Sequence, residues 1–200
     1  MFIYNWFMRK RDEHKQRAIT GAVLEIVQRE GLNQLSMSKI AKAAGVSPAT
    51  MYIYYADKTD MLSQIYLGVK RLMDDGLEEK LHKSGSYLGK FQTLLWHFAS
   101  KFRDYPLETA FMFTVQSSLA AITDDALKES EIMAKPISEL FEEGVRGGYL
   151  RYPNPDLVVA MSFAPLSSLI QARTLKGEVA SDEEIQQLIE MVTTAILKVD

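Results

Sequence analysis

The densest concentration of binding chemistry in this sequence lies between residues 39 and 58. Ser47 and Pro48 read as a helix start, a capping hydroxyl followed by a proline whose missing N–H is harmless at the first helical position. Free N–H groups and the positive end of a helix dipole over residues 47–50 suit an anionic oxygen, and the hydroxyls of Thr50, Tyr52 and Tyr54 are donors for phosphate. Lys58 falls in the first turn of the next helix, where the dipole disfavours a cation, and a phosphate partner would offset that cost. The chemistry indicated is non-covalent capture of a polyanion. Covalent chemistry finds no support: there is no cysteine, His14, His82 and His97 are too scattered for a metal cluster, and neither a glycine-rich phosphate loop nor a serine beside an identifiable base is present. An enzyme is therefore not expected, nor a cofactor or metal.

The flanking elements fit that task. Ile19, Ala22, Val23, Ile26 and Val27 share one face of a helix over about 12–30, which Gly31 stops. Ser36 caps a short second helix, with Leu35 and Ile40 as its hydrophobic staple; Gly45 takes the turn, and Val46 with Met51 repeats the staple on a third helix begun by Ser47. Ala41 and Ala44 are small where two helices cross. Charge divides with the same boundary: residues 1–72 carry 11 Lys/Arg against 6 Asp/Glu, and the remainder 12 against 20, within a net of −3. A basic head on an acidic body suits a head that meets a polyanion.

Downstream the pattern stays helical. Asp57 and Asp60 open a fourth helix whose apolar face runs from Leu62 to Leu77, and Ser84, Gly85 and Ser86 break the chain before an aromatic helix that ends at Pro106. Helices are expected over about 107–120 and 125–147, the latter kinked or divided at Pro136. Another runs from Asn154 and Pro155 to Lys176 with a bend at Pro165, and a last one opens on a Ser181 to Glu184 capping box with an apolar stripe ending at Val199. No strand-like alternation appears. The expectation is an all-α chain of about nine or ten helices.

The stretch IAKAAGVSPATMYIYYADK over residues 40–58 closely resembles the signature of the tetracycline-repressor (TetR) family of bacterial transcriptional regulators. The resemblance covers roughly residues 12–62; beyond that only the count and order of helices agree. It implies an N-terminal three-helix helix-turn-helix DNA-binding domain over 8–55, a long connecting helix over 56–82, and a C-terminal helical bundle for ligand binding and dimerisation over 83–200. It implies a double-stranded DNA operator, a small-molecule effector, and a homodimer through the last two helices. It further implies that Tyr52 and Lys58 clamp phosphates, that Ala49, Thr50 and Tyr54 lie at or near the groove, and that ligand acts by moving the fourth helix. Tyr55 stands where the family more often has phenylalanine. Repression is the family default, with activation an open alternative.

From Pro48 to Tyr55 the recognition helix has no Arg, Lys, Asn or Gln, the side chains suited to bidentate reading of guanine or adenine. Direct readout should be sparse, resting on Ala49 against a thymine methyl and single donors from Thr50 or Tyr54. Lys39 and the arm Arg9, Lys10 and Arg11 are expected to supplement it through groove shape, so removing residues 1–11 should change affinity or base preference. In the body, Phe91, Leu95, Phe98, Phe111, Met112, Met133 and Phe163 supply an aromatic and soft apolar set for a largely apolar or aromatic effector, with His97 and Gln116 as polar anchors. Most of that set also suits a plain core, and the terminal apolar stripes could pack within one chain. A helical carrier of lipophilic ligands with a vestigial helix-turn-helix is the competing reading. The opening apolar residues 1–7 precede the basic cluster and are too short for a signal core, Met8 is a second candidate start, and no stretch is expected to reach transmembrane length, so a cytoplasmic bacterial protein is expected.

Overall fold

The computed structural model describes residues 12–198. Residues 1–7, the arm residues Arg9, Lys10 and Arg11, and Val199 lie outside them. Eleven α-helices and two 3-10 turns make up the described chain, with one isolated antiparallel bridge between Leu150 and Leu197 as its β structure.

The head is built by local signals. Asp12 accepts from the His14 N–H to start α1 (Glu13–Glu30), which Gly31 ends at a φ of 80°, a conformation that L side chains resist. The hydroxyl of Ser36 caps α2 (Met37–Ala43) and that of Ser47 caps α3 (Pro48–Tyr54). Gly45, at a φ of 66°, turns the chain between these two helices. Ile19, Val23, Ile40, Ala41 and Met51 are fully buried where α1, α2 and α3 meet, so the stripes read from the sequence form one core.

Asp57 caps α4 (Lys58–Asp74) by accepting from the Asp60 N–H, while the Asp60 carboxylate accepts from the Ala56 N–H. The connecting helix expected over 56–82 is two helices. Gly76, at a φ of 78°, breaks it, and α5 (Leu77–Lys83) follows in a new direction set by that left-handed residue. The apolar periodicity runs across the break because each helix buries one face, α4 against α7 and α8 and α5 against α6.

Next come α6 (Tyr87–Asp104), α7 (Pro106–Gln116), α8 (Asp124–Met133) and α9 (Lys135–Arg146), with Pro136 dividing the last two as expected. The chain closes with α10 (Pro155–Leu175) and α11 (Asp182–Ile196). With the expected division at Pro136, the further break at Gly76 brings the described α-helices to eleven, and the all-α class holds. Pro165 lies within α10 without ending it, and the Ser181–Glu184 capping box forms in full. Within the body, α6 packs against α5, α7, α9, α10 and α11, and α4 against α7 and α8. The head is fastened at a second place, because α1 packs on α7, so α4 is not the sole element joining head and body.

At 21 residues, α10 has the length and apolarity of a membrane span, where the sequence reading saw no such stretch; 22% of its apolar window is buried inside the chain. Its inner face, Ser162, Leu166 and Ile170, is packed, leaving Leu157, Met161 and Leu175 exposed.

Candidate nucleic-acid interface and interior cavity

The outward side of the head is the free face of α3. Ser47, Pro48 and Ala49 are exposed, Tyr52 is 61% exposed and Ile53 51%, while Met51, Tyr54 and Tyr55 point into the core. Ala49, Tyr52 and Ile53 therefore form one i, i+3, i+4 stripe. The sequence reading passed over Ile53, although its spacing from Ala49 was the available signal. The Ser47 hydroxyl accepts from the Thr50 N–H at 3.1 Å and shares a 2.8 Å hydrogen bond with the half-buried Thr50 hydroxyl. Pro48 has no N–H and that of Thr50 is engaged, so the first turn offers fewer free donors than the sequence suggested; the N–H of Ala49 remains.

Three expected contacts are differently employed. Tyr54 is 5% exposed, and its hydroxyl accepts from the Asp12 N–H at 3.0 Å and donates to the Asp12 carbonyl at 3.2 Å. It ties α3 to the start of α1 and does not stand at the groove face, because a residue at i+3 from Met51 shares that residue's buried side. Lys58 is half-buried and donates to the Leu32 carbonyl at 3.1 Å, a partner that relieves the unfavourable dipole without any phosphate. Lys39 forms a 2.5 Å ion pair with Glu30, and that hydrogen bond holds the Glu30 carboxyl below its ordinary value. Lys42, on the exposed side of α2, is a cation the sequence reading did not single out. The arm residues Arg9, Lys10 and Arg11 lie outside the described residues.

The body carries a cavity of about 640 Å³, open to solvent on one side, between α4, the end of α7, α8, α9 and α10, with Val145 and Val159 exposed on its rim. Its walls are mostly apolar, with Tyr66, Ile137, Phe141, Val145, Val159 and Phe163 among the lining side chains. Of the expected ligand contacts, Gln116 and Phe163 lie on this wall. Phe91, Leu95, Phe98, Phe111 and Met112 are buried core and line none of it; Phe98 backs the wall by packing edge-on to Phe163 at 5.0 Å. Met133 packs against the core as a half-buried side chain. These aromatics fell on the inner faces of α6 and α7, where helix packing consumes them.

His97 is also a structural residue. Its Nε2 lies 2.7 Å from the Met73 carbonyl and its Nδ1 3.2 Å from the Lys80 ammonium, which fixes Nε2 as the protonated nitrogen and Nδ1 as the acceptor. Burial holds its pKa below the usual histidine value. A buried charged group that does line the cavity is Lys70, one turn beyond Tyr66 on α4, 8% exposed and paired with Asp74 at 2.8 Å. A lysine on the apolar face of a helix was the signal for it in the sequence.

The chain's residues 19–65 match the family described as "Bacterial regulatory proteins, tetR family". An uncharacterized HTH-type transcriptional regulator of Haemophilus influenzae is 31% identical over 94 residues, 46% of this chain and 50% of that protein, so the matched stretch spans half of the relative. The fatty acid metabolism regulator protein of Bacillus subtilis is 22% identical over 71% of this chain and 74% of its own length. A crystal structure of a TetR family transcription regulator from Marinobacter aquaeolei superposes with a TM-score of 0.81 at 28% identity, covering 96% of this chain and all of that one.

Proposed function

We propose, from the premise that this chain belongs to the tetR family of bacterial regulatory proteins, that it reads a palindromic operator as a dimer and releases it on binding a largely apolar or aromatic effector. The observation that carries the reading is the free face of α3. A packed, capped scaffold of α1 and α2 holds Ala49, Tyr52 and Ile53 outward, exposed among the described residues. Such a face, with a thymine-sized methyl at Ala49 and a hydroxyl at Tyr52, fits a major groove read by contact and shape more than by bidentate pairing. Lys42 and the arm Arg9, Lys10 and Arg11 supply the phosphate contacts that Lys39 and Lys58, held by protein partners, supply less readily.

The dimer is supported by the open faces of α10 and α11. Leu157 and Met161 on α10 and Met191 on α11 are exposed, the last by 68%, while the apolar stripe of α11 itself, Ile185, Ile189, Val192 and Ile196, is packed inside the chain. The effector reading is supported by the cavity, whose wall includes Tyr66 and Lys70 of α4, the helix that follows α3 directly. A ligand that favours one position of α4 changes the separation of two recognition helices, and a coupling of about 1–3 kcal/mol suffices to release DNA. Repression in the cytoplasm is the simplest outcome of such coupling, and the fatty-acid connection in the name of the Bacillus relative favours an apolar effector.

Selection of the purified protein on randomised duplex DNA, at two salt concentrations, tests the reading. An enriched palindrome with half-sites about one helical turn apart is expected. Weak, sequence-blind, salt-sensitive binding would replace the operator reader with a generic polyanion patch and favour a carrier of lipophilic ligands.

A further inference from the structure

The wall of the cavity carries one feature that an apolar ligand does not require. Lys70 is more than nine-tenths buried, yet its ammonium has three N–H donors, and the hydrogen bond to Asp74 Oδ2 takes one of them. The partner is under-used as well: Asp74 Oδ1 is buried with no hydrogen-bond partner. Burial pushes the Asp74 carboxyl above its ordinary value, against the pull of Lys70. A buried ion pair of this kind roughly breaks even with an apolar replacement of the same volume, so closing the wall gives no reason for it. The other charged side chains on the lining, Glu131, Glu142 and Arg146, are solvent-exposed, and Glu142 is already paired with Arg146 at 3.3 Å. Along the lining, then, Lys70 on α4, paired with Asp74, is the buried charged side chain, while Glu131, Glu142 and Arg146 stand at the solvent-facing edge beside the exposed Val145 and Val159.

Resting on the reading that this cavity holds the effector, we propose that the effector is an amphipathic carboxylic acid whose tail lies along Phe141, Val145, Val159 and Phe163 and whose carboxylate accepts from Lys70 Nζ. The carboxylate takes up donors that Asp74 leaves free, and no bond is made or broken. Because Lys70 lies on α4, the same contact is placed to report occupancy to the head.

Calorimetric titration of the full chain with dodecanoic acid, dodecanol and dodecyltrimethylammonium, each below its micelle concentration, tests the assignment. The acid is expected to bind about tenfold or more tightly than the alcohol, as a charge-assisted hydrogen bond of this kind implies. The preference should vanish in Lys70→Met with alcohol affinity unchanged, and largely survive in Lys70→Arg, whose melting temperature checks folding. Equal binding of acid and alcohol by the native chain, tighter binding of the ammonium, or an undiminished acid preference in a folded Lys70→Met variant overturns it. Operator affinity, measured in parallel, separates the two readings. Acid binding that depends on Lys70 but leaves operator affinity unchanged upholds this assignment and removes the effector role; operator release by an uncharged compound, with the acid unbound, does the reverse.

Discussion

Tyr52 and Tyr54 stand two residues apart in the same short helix, yet one is 61% exposed and the other 5%. The helical period decides this, because a two-residue step turns a side chain by more than half a circle. Tyr54→Phe should therefore lower stability by about 1 kcal/mol, since it removes both hydrogen bonds to the Asp12 backbone, with operator affinity following only the loss of folded protein. Tyr52→Ala should leave the urea midpoint nearly unchanged and weaken operator binding by about tenfold, as loss of one good contact does. The reverse pattern would exchange their roles. His97 provides a pH signature: burial keeps it neutral in the fold, while the unfolded chain takes up a proton near pH 6.5, the ordinary value. Its contribution to stability is complete above about pH 6.5 and falls as pH drops through that value. Lys80 and Lys101 on its surroundings oppose protonation and Asp75 favours it. Urea unfolding from pH 8 to pH 5 should show a decline that His97→Gln makes shallower.

Element by element, what the sequence made legible is whatever is encoded locally. Ser36, Ser47, Asp57 and Ser181 each cap the helix they were expected to open, because a cap needs only a hydroxyl or carboxylate within three residues of its donor, and Asp12 and Ser86 do the same where no cap was read. Gly76 was harder to read, since the apolar stripe continues through it and only the backbone shows the break. The cavity was out of reach for a different reason: its wall is assembled from helices whose relative placement no period encodes. Aromatic residues suggested a pocket near Phe91 and Phe111, and those are the very side chains that helix packing buries. Packing also explains a glycine in α9. A Cβ at Gly144 would lie 2.0 Å from the Tyr87 hydroxyl oxygen and 3.1 Å from a Leu150 methyl, with Tyr87 itself stacked on Tyr149 at 4.6 Å. Gly144→Ala should thus destabilise by about 1–3 kcal/mol despite its better helix propensity, and a thermal melt would detect it.

For the whole molecule, Leu157 and Met161 of α10 and Met191 of α11 are apolar side chains left exposed on the body. Introducing charge there, as Met161→Glu with Met191→Glu, should convert a dimer to monomers in light scattering with little change in the far-ultraviolet spectrum, because neither side chain is part of the core. A monomer would lose palindrome binding disproportionately, as half-sites are then read singly. If the native chain is already monomeric, these side chains serve another purpose and the palindrome is not expected.

The contact between α1 and α7 bears on how such a protein can be re-engineered. A cut after Tyr55, where the sequence places the edge of the head, follows the order of helices but severs a packed junction. Gln16, Thr20 and Leu24 of α1 share a crevice of about 250 Å³ with Tyr55, with Ile65 and Val69 of α4, and with Glu108 of α7. Transplanting the head onto an unrelated body would uncover that side of α1, including the buried Leu24. The portable unit is larger than the motif: a chimera that keeps the head folded as it is here has to carry the matching face of α7 with it.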